Sequence, residues 1–253
     1  MTGVAGLRAG DVRVGTSGWS YDHWRGHLYP PGTASGRRLD VYAAEFDTVE
    51  LNTSFYHWPR VDAFRAWRDR LPPGFLVSVK APRGLSHAGT HLDPARWTER
   101  LADGLAGLGE AAGPLLIQLP PDAERDDEHL ARLLAAVPEG HHAAVELRHP
   151  SWVDDGVFAV LEAFDASYCV VSGAGMPCVL RATADVVYVR FHGPDPEVLY
   201  VGGYSDADLD WWADRIREWQ GLGAAVLCHF NNDGEGHAVH DARRLRARLG
   251  LRG

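Results

Sequence analysis

Ala144-Val145-Glu146-Leu147-Arg148-His149-Pro150-Ser151-Trp152 is the stretch that decides how this chain is read. Val145 and Leu147 are strand formers on one face, while Glu146 and Arg148 share the other. Pro150 has no N–H to donate and ends the ladder. A carboxylate and a guanidinium two residues apart on a buried strand face are costly unless they are paired and used. The same design, an apolar run whose last residues turn polar before a turn and a helical segment, recurs along the chain.

Eight such runs can be read, at 12–17, 48–54, 75–81, 115–120, 142–148, 167–172, 186–192 and 224–231. Helical patterns fill the intervals at 38–45, 62–71, 96–108, 128–136, 154–164, 206–219 and 237–249. In the second of these, Phe64, Trp67 and Leu71 fall at spacings of three and four. The link at 173–185 is the weak unit, because Gly173, Gly175 and Pro177 leave room for little helix. Strand and helix alternating eight times over 253 residues predict a single (β/α)8 TIM barrel over 1–253, with its core at about 12–249 and irregular at unit six. An open doubly wound sheet is the alternative, but no G-x-G-x-x-G follows the first strand.

Composition sets further bounds. Hydrophobic content of 45% and charged content of 23% are ordinary for a globular protein. The three cysteines, Cys169, Cys178 and Cys228, are an odd number without C-x-x-C spacing and read as reduced thiols, two of them in apolar runs. Positions 1–10 carry no hydrophobic core of signal-peptide length, and no apolar run approaches about 18 residues. The expectation is a cytoplasmic protein with no membrane attachment. A net charge of −9 disfavours broad nucleic-acid binding but leaves room for a local positive cleft.

Period two sorts the strand faces. Glu50 and Asn52 oppose Val49 and Leu51; Ser78 and Lys80 oppose Val77 and Val79; Gln118 opposes Ile117 and Leu119. Tyr188, Arg190 and His192 oppose Val187, Val189 and Phe191, and His229 with Asn231 opposes Cys228 and Phe230. Buried parallel strands normally read apolar on both faces. Here seven strands turn polar toward their C-terminal ends, and that end of a barrel is where active sites are built.

These residues also carry a family resemblance. Gly15-Thr16-Ser17-Gly18-Trp19 with Tyr21 and Trp24-Arg25-Gly26, Glu50-Leu51-Asn52 with Phe55-Tyr56, and Lys80-Ala81-Pro82-Arg83 with Thr90-His91 form its first half. Gln118-Leu119-Pro120-Pro121, Glu146 through Trp152, Arg190-Phe191-His192-Gly193 and Phe230-Asn231-Asn232-Asp233 complete it. Together they resemble the YecE-like family, bacterial and archaeal TIM-barrel proteins named as a domain of unknown function. The resemblance implies the barrel and carries no catalytic roles with it.

The roles therefore come from residue chemistry. Glu146, Glu50 and His192 are the expected acid–base groups. Lys80, Arg148 and Arg190 would clamp an anion, assisted by Asn52, Gln118, Asn231 and Asn232, with Trp19 and Tyr56 as aromatic contacts. The bland alternative is internal pairing of Glu146 with Arg190 and of Glu50 with Lys80. Under it, Glu146→Gln destabilises the fold; in a wet mouth it leaves stability nearly unchanged. Neither a cofactor nor a metal is expected, since fixed cations compete with a metal at the same place. His87 and His91 flank Gly89 in a loop, and His141-His142, ahead of strand five, read as solvated. The expectation is a hydrolase-like enzyme breaking a glycosidic or phosphoester bond in an anionic or sugar-containing small molecule. The rival readings are a nucleic-acid or nucleotide binder without catalysis, and a metal-dependent phosphodiesterase resembling barrel-type DNA-repair nucleases. The oligomeric state is not legible.

Overall fold

The computed structural model of the chain describes residues 4–87 and 93–251; Thr90 and His91, quoted above, lie outside them. Eight parallel strands close into a barrel in sequence order. They are β1 (Val12–Ser17), β2 (Thr48–Leu51), β3 (Leu76–Lys80), β4 (Ala112–Gln118), β5 (Ala143–Glu146), β6 (Ser167–Ser172), β7 (Val186–Phe191) and β8 (Ala225–Phe230). Helices α1 (Arg38–Ala43), α2 (Val61–Arg68), α3 (Arg83–Ser86), α4 (Pro94–Leu108), α5 (Asp127–Ala135), α6 (Asp155–Ala163), α7 (Asp206–Gly221) and α8 (His237–Arg248) surround it. β6 runs to β7 through a stretch without helix, as the glycines and Pro177 there foretold.

The two faces of the strands feed two apolar clusters. Val14, Val49, Val77, Ile117, Val145, Val189 and Cys228 pack outward against the helices. Leu76, Leu116, Ala144, Cys169, Tyr188 and Leu227 fill the barrel, with Val4 and Leu7 in the same cluster. The second cluster occupies the lower barrel and leaves the C-terminal third to polar groups.

Several elements differ from their sequence expectations. β2 ends at Leu51 instead of Ser54, because Asn52 turns into a helical conformation and Thr53–Phe55 forms a 3-10 turn. β5 ends at Glu146, so Arg148 lies beyond the ladder. His142 is buried, not solvated; its ring meets Ser167 Oγ at 2.7 Å. Between β1 and β2 a side chain substitutes for part of the ladder: Tyr42 Oη accepts from Thr16 N and donates to Thr48 O, each at 2.9 Å. Gly15 is needed there, since a Cβ would collide with the Thr48 carbonyl oxygen.

Candidate functional site

β-register places the polar ends side by side. Ser17 is level with Glu50, Glu50 with Ser78, Gln118 with Glu146, and Arg190 with His229. The hub is Arg190, itself fully buried. Its Nε and Nη2 donate to the two oxygens of Glu50 at 2.9 and 2.7 Å, the fork-to-fork geometry a guanidinium favours. Its Nη1 donates to Glu146, so one arginine joins carboxylates from β2 and β5 across the barrel. Ser17 Oγ and Tyr188 Oη (the latter at 2.8 Å) also donate to Glu50. Arg148 Nε donates to the other Glu146 oxygen at 2.6 Å.

Burial pushes the Glu50 carboxyl up, but Arg190, His229 and Ser17 together outweigh it and bring it down to about 2. Burial likewise opposes ionisation of Glu146, and Arg190, His192 and Arg148 hold it well below the usual carboxylate range. Both are therefore fixed anions at neutral pH. Burial drives His192 and His229 down to about 4, so both rings are neutral there. Asn231 Nδ2 lies 3.1 Å from His192 Nδ1, and His192 Nε2 lies 3.3 Å from Glu146 Oε2. The tautomer with the proton on Nε2 satisfies both contacts.

Above this network lies an open pocket of about 480 Å³, lined by Tyr21, His23, Asn52, Tyr56, Lys80, Tyr200, Asn231, Asp233 and Gly234. Lys80 Nζ donates to Gln118 Oε1 at 2.8 Å and sits 4.4 Å from the centre of the Phe55 ring. Burial, reinforced by Arg190, lowers its ammonium to about 8. Arg148 and Arg190 donate to the same Gln118 oxygen at 3.2 and 3.4 Å. Tyr200, in the left-handed region at φ 70°, sets its ring edge-on to His192 and accepts from Arg148 at 3.2 Å. Gly193, at φ 107°, lets the chain pass where a Cβ would strike Val201 O.

Of the residues singled out from sequence, Lys80, Asn52, Asn231 and Tyr56 line the open pocket. Glu50, Glu146, Arg190, His192 and Gln118 form its buried floor together with Arg148. The bland pairing of Glu50 with Lys80 is absent, because Arg190 takes both carboxylates and leaves Lys80 on an amide. Two side chains are placed differently from expectation. Asn232 is buried and spent on Gly202 O and Asp241 Oδ2, at 2.9 and 2.8 Å, holding the loop to α8. Trp19 packs edge-on against Trp67 and borders a smaller cleft beside the mouth. Sequence reasoning did not single out Ser17, His23, Tyr188 or Tyr200. The alternation in β7 places Tyr188 on the polar face without giving it a role, strand one was not sorted into faces, and a loop residue such as Tyr200 carries no periodic signal. Among the described residues no three His, Cys, Asp or Glu side chains are grouped to hold a metal ion.

A family model described as a protein of unknown function, DUF72, matches residues 13–253. The chain belongs to the DUF72, or YecE-like, family. It is 28% identical to UPF0759 protein YunF of Bacillus subtilis (strain 168), over 92% of this chain and 93% of that one. It is 29% identical to UPF0759 protein YecE of Escherichia coli (strain K12) over 57% of this chain and 51% of the relative. The crystal structure of a DUF72 family protein from Thermotoga maritima MSB8 superposes with a TM-score of 0.85 at 27% identity, covering 95% of this chain and 99% of that one. Among the described residues of this DUF72 chain, no helix is long and apolar enough to cross a membrane.

Proposed function

We propose that this DUF72 barrel is an enzyme performing acid–base chemistry on a small molecule with an acidic group, bound at the C-terminal mouth. The observation that carries this reading is the convergence of Lys80, Arg148 and Arg190 on one neutral acceptor, Gln118 Oε1. Three cations are set against two carboxylates in the barrel end, and the amide oxygen is a weak substitute for an anion. The pocket that Lys80 lines suits a small metabolite in volume. Asp233, held by Trp24 Nε1 at 2.5 Å and by His23 at 3.1 Å, adds to the pocket lining a carboxyl whose proton affinity burial raises.

Depth divides the roles. Glu50 and Glu146 have no exposed surface and are engaged by Arg190, so they serve as positioning residues that fix the guanidinium and the field of the mouth. Hydrolysis by a facing carboxylate pair would need both groups at the scissile bond, so Lys80 and the other pocket-lining residues are the better candidates for substrate contact. The test is thermal unfolding at low ionic strength with phosphate, pyruvate and citrate, set against glucose. Stabilisation by the acids, abolished in Lys80→Met and by added salt, is the expected result. Stabilisation by glucose alone, or by none of the four, would sink the reading.

A further inference from the structure

Of the 25 Lys and Arg residues of the chain, 24 are arginine and one is lysine, Lys80. Every surface ion pair among the described residues is accordingly made by arginine or histidine. The single ammonium stands at the last position of β3, over the pocket floor. Among the described residues it has no carboxylate within ion-pair distance. Its partners are an amide oxygen and an aromatic face.

These facts exclude the common reasons for a lysine. A structural cation would have an acidic partner, as Arg148 and Arg190 have. A purely electrostatic clamp on a carboxylate or phosphate is the task arginine does better, through its planar fork, and arginine is what this chain uses elsewhere. An amine differs from a guanidinium in that it can shed its proton and form a bond to carbon. Desolvation beside other cations is the setting in which lysines do so.

We infer that Lys80 is a nucleophile that condenses with the carbonyl carbon of a small carbonyl compound bearing an acidic group, such as a 2-oxo acid, whose acid is held by the cations of the mouth. The inference rests on the anion-binding reading above and gives it a substrate class. In the step, the Lys80 nitrogen lone pair forms a C–N bond and the carbonyl oxygen becomes a hydroxyl. The nitrogen then forms the C=N bond as that oxygen leaves as water, carrying both hydrogens of the free amine. No electrons are gained or lost. Burial, with Arg190 close by, brings the ammonium to about 8, so a substantial fraction is free amine at mildly alkaline pH. A guanidinium at this position would do none of this.

The experiment traps the imine. The full-length protein is incubated with glyoxylate and sodium cyanoborohydride at about pH 8, digested, and mapped by mass spectrometry. Because Lys80 is the chain's one ε-amine, the α-amino group serves as the internal reference. The expected result is an adduct at Lys80 exceeding that at the α-amine. Glyoxylate should be preferred to acetaldehyde at Lys80 by roughly tenfold or more, as one charge-assisted contact supplies, with no such preference at the α-amine. Lys80→Arg, which keeps the charge, should lose the adduct while its thermal midpoint with phosphate still rises. An unmodified Lys80 in wild-type protein that phosphate and pyruvate nevertheless stabilise would overturn the covalent role and spare the binding reading. Absence of both adduct and stabilisation would overturn both. Equal labelling by acetaldehyde and glyoxylate would overturn the substrate class.

Discussion

Replacing Glu146 with glutamine tests what the buried network is for. Gln has nearly the same shape, but one carboxylate oxygen becomes an NH2 that donates. Both oxygens of Glu146 are in use, one by Arg148 Nε at 2.6 Å and the other by Arg190 and by His192 Nε2 at 3.3 Å. Whichever way the amide is oriented, an N–H faces a guanidinium that also only donates. With no exposed surface at Glu146, little water enters to relieve the clash. Breaking a buried ion pair from one side costs about 3–5 kcal/mol. Arg190 keeps its two bonds to Glu50, which places the expectation toward the lower half of that range. For a domain of this size each kcal/mol lowers the midpoint by roughly 2–4 °C, so a fall of about 6–16 °C is expected by differential scanning calorimetry at pH 7. Adding Arg148→Met removes one of the orphaned cations and should recover part of the loss, a coupling readable from the double-mutant cycle. A midpoint within about 2 °C of wild type would refute the reasoning and restore the wet-mouth reading of Glu146 that the sequence alone favours.

Three further outcomes are expected. Acid titration should lower stability from about pH 6.5 downward: His192 and His229 fall from 6.5 unfolded to about 4 folded, so the unfolded chain binds more protons in that window. Each ring then costs up to about 3 kcal/mol by pH 4, Glu50 adds its loss as the pH falls from 4.5 toward 2, and a wild-type midpoint flat between pH 6.5 and 4.5 would contradict this. Tyr42→Phe strips the Thr16 N–H and the Thr48 carbonyl of their shared partner, at about 1–3 kcal/mol for each buried group left unsatisfied; an unchanged midpoint in chemical denaturation would show the β1–β2 junction does not depend on it. Ellman's reagent should find one reactive thiol in the native chain, the exposed Cys178, and Cys169 and Cys228 only after denaturation.

The barrel was legible because its signals are local. Val77 and Val79, or Val187 and Val189, alternate with polar residues whatever the rest of the chain does, and Gly173, Gly175 and Pro177 rule out a helix on stereochemical grounds alone. Strand ends were read too long where the chain bends without a proline or glycine to announce it, as at Asn52. The polar phase of the strands was legible too, but periodicity gives a face and not a depth. Nothing within β7 says that Arg190 reaches Glu50 and Glu146 at once, because the distance between those carboxylates is set by barrel closure. Nor does the run preceding β5 reveal that His142 meets Ser167, whose partnership makes its burial tolerable. Asn232 was misplaced for a similar reason: one residue beyond Asn231, it points away from the mouth to Asp241 of α8.

Depth is also what separates the groups that can react from those that cannot. Glu50, Glu146 and Arg190 sit one layer below the open pocket, in register with Ser17, Gln118 and His229, and each is committed to partners that a ligand would have to displace. A carboxylate held below the normal range by two guanidiniums is a poor base, and a histidine lowered to about 4 is a poor acid at neutral pH. Lys80, two residues beyond Ser78 on the same face of β3, clears that layer. It is the one basic group in the mouth that opens to the pocket, lacks a counterion among the described residues, and is brought near physiological pH by its surroundings. Burial is the main cause of that state, and the fixed charges beneath it pull both ways: Arg190 and Arg148 lower the ammonium, whereas Glu146 and Glu50 raise it. Glu50 and Glu146 hold Arg190 in place, and Arg190 in turn presses on the ammonium, so the buried ion pairs tune the amine without touching substrate. If that is their work, Glu146→Gln leaves Arg190 less neutralised and depresses the Lys80 pKa further. The pH profile of cyanoborohydride trapping should then move to lower pH in the mutant. A profile unmoved in a variant that still folds would mean the network holds up the barrel and does nothing to the lysine.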